Sequence, residues 1–478
     1  MNQIENKLVF NSAKFCKRNI HMIIHRFIIT VISLSVFTIY CSVSIAATER
    51  APVVPDEWAV EEAVTFAIAN SPDTAITRQR INAAHATVEQ ANAAFYPQVD
   101  LGASYGQTNN PMYSFGNILN QGAFDQSIDF NDPGKTDNLN MNATLNYRFY
   151  NGGRDKARLH AAEAGEAASK HELEAVHSQL GFQVVRTYFT IIQGQETLQA
   201  RISATEAIAA SIQVARARYE AGDLLKADLL NLEVHQSRAQ ENLIQARHAL
   251  NLAKKGFLNL LGLNNGPVIL KTDCSIDQLV PTKTSFDNRP ELHRLDAAIE
   301  AAELMVRKAQ SGYYPTADMF AGYQVDKGYE LDGAGNSWLA GIKINYNLFN
   351  GHQTSSEIAK ANAVLAEKKE QKRKMSLIID FEVEQARLFL EQAEQRLQVT
   401  KKMVEQAEES ARLSRERFKE GVVLSSDLID VENRLTDALV RRTGARTSRR
   451  IAVADLRRAL GMHQFHAPAE ADKKPKLP

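Results

Sequence analysis

Leu139-Asn140-Met141-Asn142-Ala143-Thr144-Leu145-Asn146-Tyr147-Arg148-Phe149 is followed at once by Tyr150-Asn151-Gly152-Gly153. Every odd position of the first stretch is apolar and every even one polar. Alternation at a period of two is what a strand shows when its faces meet different media, and about ten residues span a membrane as a tilted strand. A half-buried strand of a soluble sheet gives the same pattern. The pattern recurs, however. Val99, Leu101, Ala103 and Tyr105 alternate with Asp100, Gly102 and Ser104; Ala317, Met319, Ala321, Tyr323 and Val325 alternate with polar or small residues except at Phe320. Trp338, Ala340, Ile342, Ile344, Tyr346 and Leu348 form the fourth run, with Leu339 as its exception.

Composition sets the bounds. The 478 residues carry 56 basic and 56 acidic side chains, and no basic stripe with interleaved aromatics occurs, so nucleic acid is not an expected partner. Lys473, Lys474 and Lys476 lie in a proline-containing tail over 462–478 and read as a solvated end. Residues 1–46 have the layout of an export leader: Arg26, an apolar run over 27–41, and Ser44-Ile45-Ala46 as a cleavage site before Ala47. Met22 offers a start that leaves a leader of ordinary length. Thr38-Ile39-Tyr40 before Cys41 does not resemble a lipoprotein box, so no lipid anchor is expected. Removal of the leader takes Cys16 and Cys41, leaving Cys274 and no internal disulfide. Beyond the leader no run of eighteen apolar residues occurs, so a membrane is crossed as strands or not at all.

The chain is a duplication. Asn70-Ser71-Pro72-Asp73 recurs 218 positions later as Asn288-Arg289-Pro290-Glu291, and Phe95-Tyr96-Pro97 as Tyr313-Tyr314-Pro315. Beyond the strands the offset is 199: Asn146 to Gly152 matches Asn345 to Gly351, Arg218, Tyr219, Gly222 and Asp228 match Arg417, Phe418, Gly421 and Asp427, and Leu261-Gly262 matches Leu460-Gly461. The lost residues fall between paired strands, where an exposed loop tolerates variation.

Each copy reads as helix, strand, strand, long helix, return helix. The first repeat spans 57–262: a helix over 57–94 broken near Pro72, strands at about 98–106 and 138–149, a loop of about thirty residues between them, a long helix over 154–221 and a return helix over 224–261. Residues 263–287 link the copies as an equatorial segment. The second repeat spans 288–461, with strands at about 316–325 and 337–348, a long helix over 352–420 and a return helix over 424–460. The first long helix contains no proline and would run roughly 100 Å, so it needs partners along its whole length. Leu225, Leu229, Leu232, Gln236, Ala239, Leu243, Ala246, Leu250, Ala253, Phe257 and Leu260 make a coiled-coil seam on the return helix. That seam covers half of the long helix, and the helix over 57–94 is expected to stack end to end with it. Arg442 and Arg449 occupy the equivalent seam of the second copy, which therefore packs differently or faces water. Four antiparallel strands leave two open edges, intolerable in lipid, so the chain must oligomerise; two copies give eight strands, three give twelve and a water-filled lumen.

The strand-end Phe149-Tyr150-Asn151-Gly152-Gly153, its copy Leu348-Phe349-Asn350-Gly351, the paired Arg-Tyr/Phe-x-x-Gly turns and the two copies resemble the TolC family of outer-membrane efflux proteins over nearly the whole mature chain. The resemblance implies an α+β membrane protein: a homotrimer whose 12-stranded barrel, four strands per chain, sits in the cell outer membrane and continues as an α-helical coiled-coil tunnel across the periplasm. Asn151, Gly152, Gly153, Asn350 and Gly351 then make the strand-to-helix junctions. Gly222 and Gly421 mark the periplasmic tips, where a glycine suits a left-handed helix end and Ser425, Ser426 and Asp427 can cap the next helix. The resemblance further assigns Asp427, Asp430, Asp228, Tyr219 and Phe418 to a constriction at the tunnel's narrow end, and Leu424 and Ser425 to contact with a periplasmic adaptor. Three copies would ring the axis with the carboxylates of Asp427 and Asp430, which repel one another and attract cations; acidic residues in a first helical turn are also stabilising without any function. Val423 stands where best-known members carry an arginine, and Phe418 lacks a tyrosine hydroxyl, so the interchain lock to Asp228 is in question.

No phosphate loop, zinc-protease motif or nucleophile elbow occurs; His160, His171 and His177 are scattered along the long helix, and His171 and His177, six apart, fall on different faces, so all three read as solvated positions. No cofactor and no metal site are expected. The favoured function is an exit duct serving an inner-membrane pump, of RND type or an ABC exporter, and a periplasmic adaptor. The alternatives are the same duct in type I protein secretion, or a soluble periplasmic adaptor.

Overall fold

The computed structural model describes residues 54–271, 280–282 and 285–465. The expected leader over 1–46, Cys274 and the lysines of the tail lie outside the described residues. The elements are α1 (Val60–Asn70), α2 (Pro72–Asn92), β1 (Gln98–Thr108), α3 (Pro111–Asn120), β2 (Thr136–Tyr150), α4 (Arg154–Glu220), α5 (Lys226–Leu260), α6 (Pro290–Gln310), β3 (Thr316–Lys327), β4 (Ala334–Asn345), α7 (Gln353–Lys419) and α8 (Ser425–Ala459). No described helix is long and apolar enough to cross a membrane.

The strands form one antiparallel sheet in the order β1-β2-β3-β4, so β1 and β4 each keep an unpaired edge. Register sorts the side chains. Leu145 lies between Val99 and Ala321, Ala143 between Leu101 and Tyr323, and Met141 between Ala103 and Val325, while β4 adds Trp338 and Ile342 to the same face. The other face carries Asn142 between Gly102 and Gln324, and Thr144 between Asp100 and Gly322. Phe320 and Leu339, the two breaks in alternation, both fall on this polar face. Phe320 pairs with Gly341, whose missing side chain makes room for the ring: a Cβ there would stand 2.9 Å from Cζ.

Three elements differ from the sequence reading. The strands run two residues further at their outer ends than the alternation indicates, three in the fourth, because backbone pairing continues where the side chains stop alternating. The fourth strand, expected to about 348, ends at Asn345; the Asn347 carboxamide accepts a bond from the Phe349 amide (3.1 Å) and turns the chain out of the sheet. The connection between β1 and β2, read as a loop, contains α3, opened by Pro111 and by Asn110, which accepts from the Met112 amide at 3.1 Å.

Long helix α4, of 67 residues, is the spine. α1 and α2 lie along the part that begins below the sheet and α5 along the remainder, with Ser71 capping α2. They abut at Gly262: at φ +76° any Cβ would meet the Asn70 carbonyl at 2.8 Å. Gly461 does the same against Asn288 in the second copy. The α5 seam is buried at Leu229, Leu232, Ala239, Leu250 and Phe257, whereas Leu225 precedes the helix and is exposed. α6 lies between α4 and α7, and α8 between α7 and α4. The altered seam of α8 follows from this. It buries Ala438, Ala445 and Ala452 on one face and Thr436, Thr443 and Thr447 on the other, and small residues allow two close neighbours. Arg442 is left exposed and Arg449 reaches Glu394 at 3.5 Å.

The largest core lies at the middle of the helical region around Trp58, Tyr188 and Phe257. Tyr188 donates to the carbonyl of Lys271 (2.8 Å), and burial pushes its phenol up to about 12. Nearby, buried Arg289 pairs with Glu291 (2.9 Å) and Glu382 (3.2 Å) and donates to the last carbonyls of α8, Arg458 and Ala459. It tethers the start of α6 to the end of α8.

Candidate functional site

Two glycine-bearing junctions carry the chain from sheet to long helix. Gly152 and Gly153 both adopt left-handed backbone, at φ +65° and +82°. Asn151 is buried, donates to the Asp155 carboxylate and presents its carbonyl to the Arg154 amide at 3.3 Å. In the second copy Asn350 donates to Thr354 (2.7 Å), Gly351 repeats φ +63°, and His352 occupies the second left-handed position at +65°. On the lumen side of this level Arg148 pairs with Asp318 at 2.7 Å, and Lys343 faces Asp318 from β4.

At the far end of the helices the two turns meet. Gly222 and Gly421 are left-handed at +86° and +81°, and the following amides, Asp223 and Val422, return to the carbonyls of Arg218 and Arg417 at 2.8 and 2.9 Å. The capping expected of Ser425 is not what occurs. Leu424 is the N-cap with no side-chain bond, and the buried Ser425 hydroxyl donates to Asp228 at 2.7 Å, joining one tip to the other within the chain. Asp228 is thus engaged within the chain.

Phe418 is buried within the chain. It is 2% exposed and packs with Ile212, Ala215, Leu229 and Leu428. Over it lies Arg218, whose guanidinium stands 5.5 Å from the ring and donates to the Phe418 carbonyl (3.0 Å) and the Asp223 carbonyl (3.3 Å). Arg218 therefore clasps both turns, a role visible in sequence only as its recurrence in the two copies. Tyr219 is 40% exposed. Asp427 and Asp430 are both exposed on α8; Asp430 pairs with Arg434 at 2.6 Å, and Asp427 makes no ion pair among the described residues. Deeper in the tip, Arg415 grips buried Glu432 with two bonds of 2.5 and 2.7 Å, and hydrogen bonding to that carboxylate holds the guanidinium above its ordinary value.

The histidines of α4 are not uniformly solvated. His160 is exposed, but His171 accepts a contact from α6, its ring 5.4 Å from that of His293, with Glu174 at 3.0 Å from its Nδ1. Among the described residues no three such side chains are grouped as metal ligands.

Residues 64–263 and 283–462 match the outer membrane efflux protein family. Protein CyaE of Bordetella pertussis is 25% identical over 319 residues, covering 64% of this chain and 64% of its own length. The cobalt-zinc-cadmium resistance protein CzcC of Cupriavidus metallidurans is 23% identical over 327 residues, covering 67% of this chain and 76% of its own. In fold, the CmeC outer membrane channel of Campylobacter jejuni superposes with a TM-score of 0.75 at 15% identity, over 89% of this chain and 92% of its own. CusC gives 0.74 at 16% identity, over 87% and 96%. The chain thus has the fold of one subunit of these outer-membrane channels. Because the two matched stretches coincide with the two copies of one strand-and-helix unit, the chain belongs, through both halves, to the outer membrane efflux protein family.

Proposed function

We infer that the chain is the outer-membrane exit duct of a tripartite efflux system. The observation that carries this is the sheet: one face apolar, one face lined by Asn, Thr and Gln, and an unpaired edge at each side. Lipid cannot satisfy those edges at a cost of several kcal/mol per group, so β1 of one copy pairs with β4 of the next. Three copies give twelve strands around an aqueous lumen, with Leu, Ile and Trp side chains toward outer-membrane lipid.

The helices support closure with neighbouring copies independently. The repeat makes α6 equivalent to α2, α7 to α4, and α8 to α5. Within the chain α4 contacts α2, α5, α6 and α8, whereas the main neighbours of α7 are α6 and α8. The two partners that α7 lacks are the counterparts of α6 and α8, namely α2 and α5 of a neighbouring copy. The tunnel closes when each chain supplies them to the next.

At the tips Leu225, Val422 and Leu424 are 73%, 71% and 65% exposed, an apolar end on an otherwise polar helical surface. Such a patch suits the helical hairpin of a periplasmic adaptor, which couples the duct to an inner-membrane pump, of RND type or an ABC exporter. Asp427, which makes no ion pair among the described residues, is the leading member of the acidic constriction. The test is single-channel conductance of purified protein in planar bilayers, for the parent and for Asp427→Ala with Asp430→Ala. Small cation-selective steps that grow and lose selectivity in the double variant are expected. Absence of channels from the parent would sink the duct, and channels indifferent to both substitutions would remove the gate.

A further inference from the structure

The connection between β1 and β2 lies at the end of the sheet away from the long helices. Its helix α3 is fastened to the rim by side chains: Ser114 donates to the Thr108 carbonyl (3.1 Å), Asn117 to the Thr136 hydroxyl (3.0 Å), and Gln121 to the Asp137 carbonyl (2.6 Å) and Asn138 Oδ1 (3.1 Å). Gln121 is 2% exposed and sits in a cradle made by the β3-β4 hairpin. A Cβ at Gly335 would lie 2.0 Å from the Asn120 carbonyl, so only glycine fits there, and one at Gly328 would lie 2.1 Å from Gln121 Oε1 and displace that side chain from its place.

The anchors also fix the side of the sheet. Asn138 donates to Asp326 at 2.6 Å, and Gly335 faces Asp326 in register; both belong to the polar face. α3 is therefore folded over the lumen side of the rim rather than the lipid side. Its buried positions, Ser114 and Ile118, face its own sheet, and Phe115, Phe124 and Phe130 brace the loop behind it with ring centroids 4.6 to 6.0 Å apart. The opposite face is apolar and bare: Met112, Tyr113 and Leu119 are 82%, 66% and 51% exposed, and Gly116 between them has nothing within 4 Å of where a Cβ would stand.

We propose that α3 is a lid element, and that the bare faces of three copies meet around the axis to narrow the outer mouth with an apolar collar. The inference rests on the trimeric reading above. A helix face of this kind held over water is stabilised by covering it, and the threefold axis brings to it the same face of the neighbouring chain, continuous with the seam that closes the barrel. An apolar constriction in a polar conduit resists wetting, so the collar would hinder ions and polar solutes where the Asn-rich lumen does not.

The test uses the full chain in outer-membrane vesicles, with Cys274→Ser as background and a single cysteine at Gly116→Cys or, separately, at the more exposed Met112→Cys. On mild oxidation two of the three chains should form a disulfide-linked pair, released by reductant. Amine-reactive crosslinking run in parallel separates the failures. Trimers without disulfide pairs at either position overturn the lid and leave the trimer; absence of trimers overturns both. Labelling of the position-116 thiol by a lipid-phase maleimide would also overturn the lid, since it would place α3 in the membrane. A second readout is polymer exclusion: Gln121→Ala, which removes the buried one of the three rim anchors, should let larger polyethylene glycols enter from the outer side than the parent admits, and an unchanged size limit counts against the lid.

Discussion

His235 borders a small cavity with Arg201, Asn242, Glu432 and Asn433, where α4, α5 and α8 come together above the tips. Burial holds its imidazole below the ordinary value of 6.5; Arg238 adds to the effect and Glu432 opposes it. The folded state therefore binds this proton less readily than the unfolded chain. The contribution is present above the unfolded value and is lost as pH falls through the depressed folded one. Thermal melting between about pH 7 and pH 5 should show a decline that His235→Gln reduces, and an equal decline in both proteins would discard the assignment. A second residue-level expectation concerns the acidic pair. Arg434 already offsets Asp430, whereas Asp427 makes no ion pair among the described residues, so Asp427→Ala alone should remove most of the cation selectivity and Asp430→Ala little. Reversal-potential measurements on the two single variants decide it, and equal losses would contradict the reading.

Elements that look alike in sequence differ in what surrounds them. Gly152 and Gly351 occupy matching left-handed positions, where an alanine costs about 1–2 kcal/mol from backbone alone. At Gly351 the space is open, but at Gly152 a Cβ would stand 2.5 Å from Tyr314 Cβ and 3.1 Å from the Ser311 carbonyl. Gly152→Ala should therefore destabilise by a further 1–3 kcal/mol or so relative to Gly351→Ala, the usual cost of overpacking. Chemical denaturation of the two variants, compared with the parent, measures the difference; equal losses would mean that the junction yields. Such contrasts explain how much was legible. Strand and helix periodicities, the duplication and the glycine turns are local signals, and they gave the sheet, the long helices and both tips. The α3 helix was hidden because a ten-residue helix among Asn, Gly and Phe has no long apolar period. The burial of Phe418 depends on contacts about two hundred positions away, at Ile212, Ala215 and Leu229, which no local spacing reports. Arg218, Ser425 and Gln121 act through long-range hydrogen bonds that no spacing reports.

At the scale of the whole molecule, the duplication locates the surface that a neighbour must cover. On α4, Phe182 and Phe189 lie under Arg458 and Arg450 of α8, with guanidinium-to-ring distances of 5.4 and 5.1 Å. The same positions of α7, 199 residues later, are Phe381 and Leu388, and within the chain these are 66% and 57% exposed. With Leu377 and Val399 they form one stripe, opposite the face that Ile379, Val383, Ala386 and Leu390 bury against α8. By repeat equivalence the missing cover is α5 of the next chain, which exposes Leu230, Val234, Ile244 and Leu252. Burying a Phe or Leu contributes about 1.5–3 kcal/mol each, and threefold closure repeats the gain at every seam. Phe381→Glu with Leu388→Glu should therefore prevent assembly while leaving the protomer helical, because neither side chain supports its own fold. Phe189→Glu should do the reverse and unfold the protomer, since its ring is buried within the chain. Light scattering in detergent reports the mass and circular dichroism the helix content. A trimer that survives both charges on α7 would show that the helices meet on another face, and would return the closure of the tunnel to the strand edges alone.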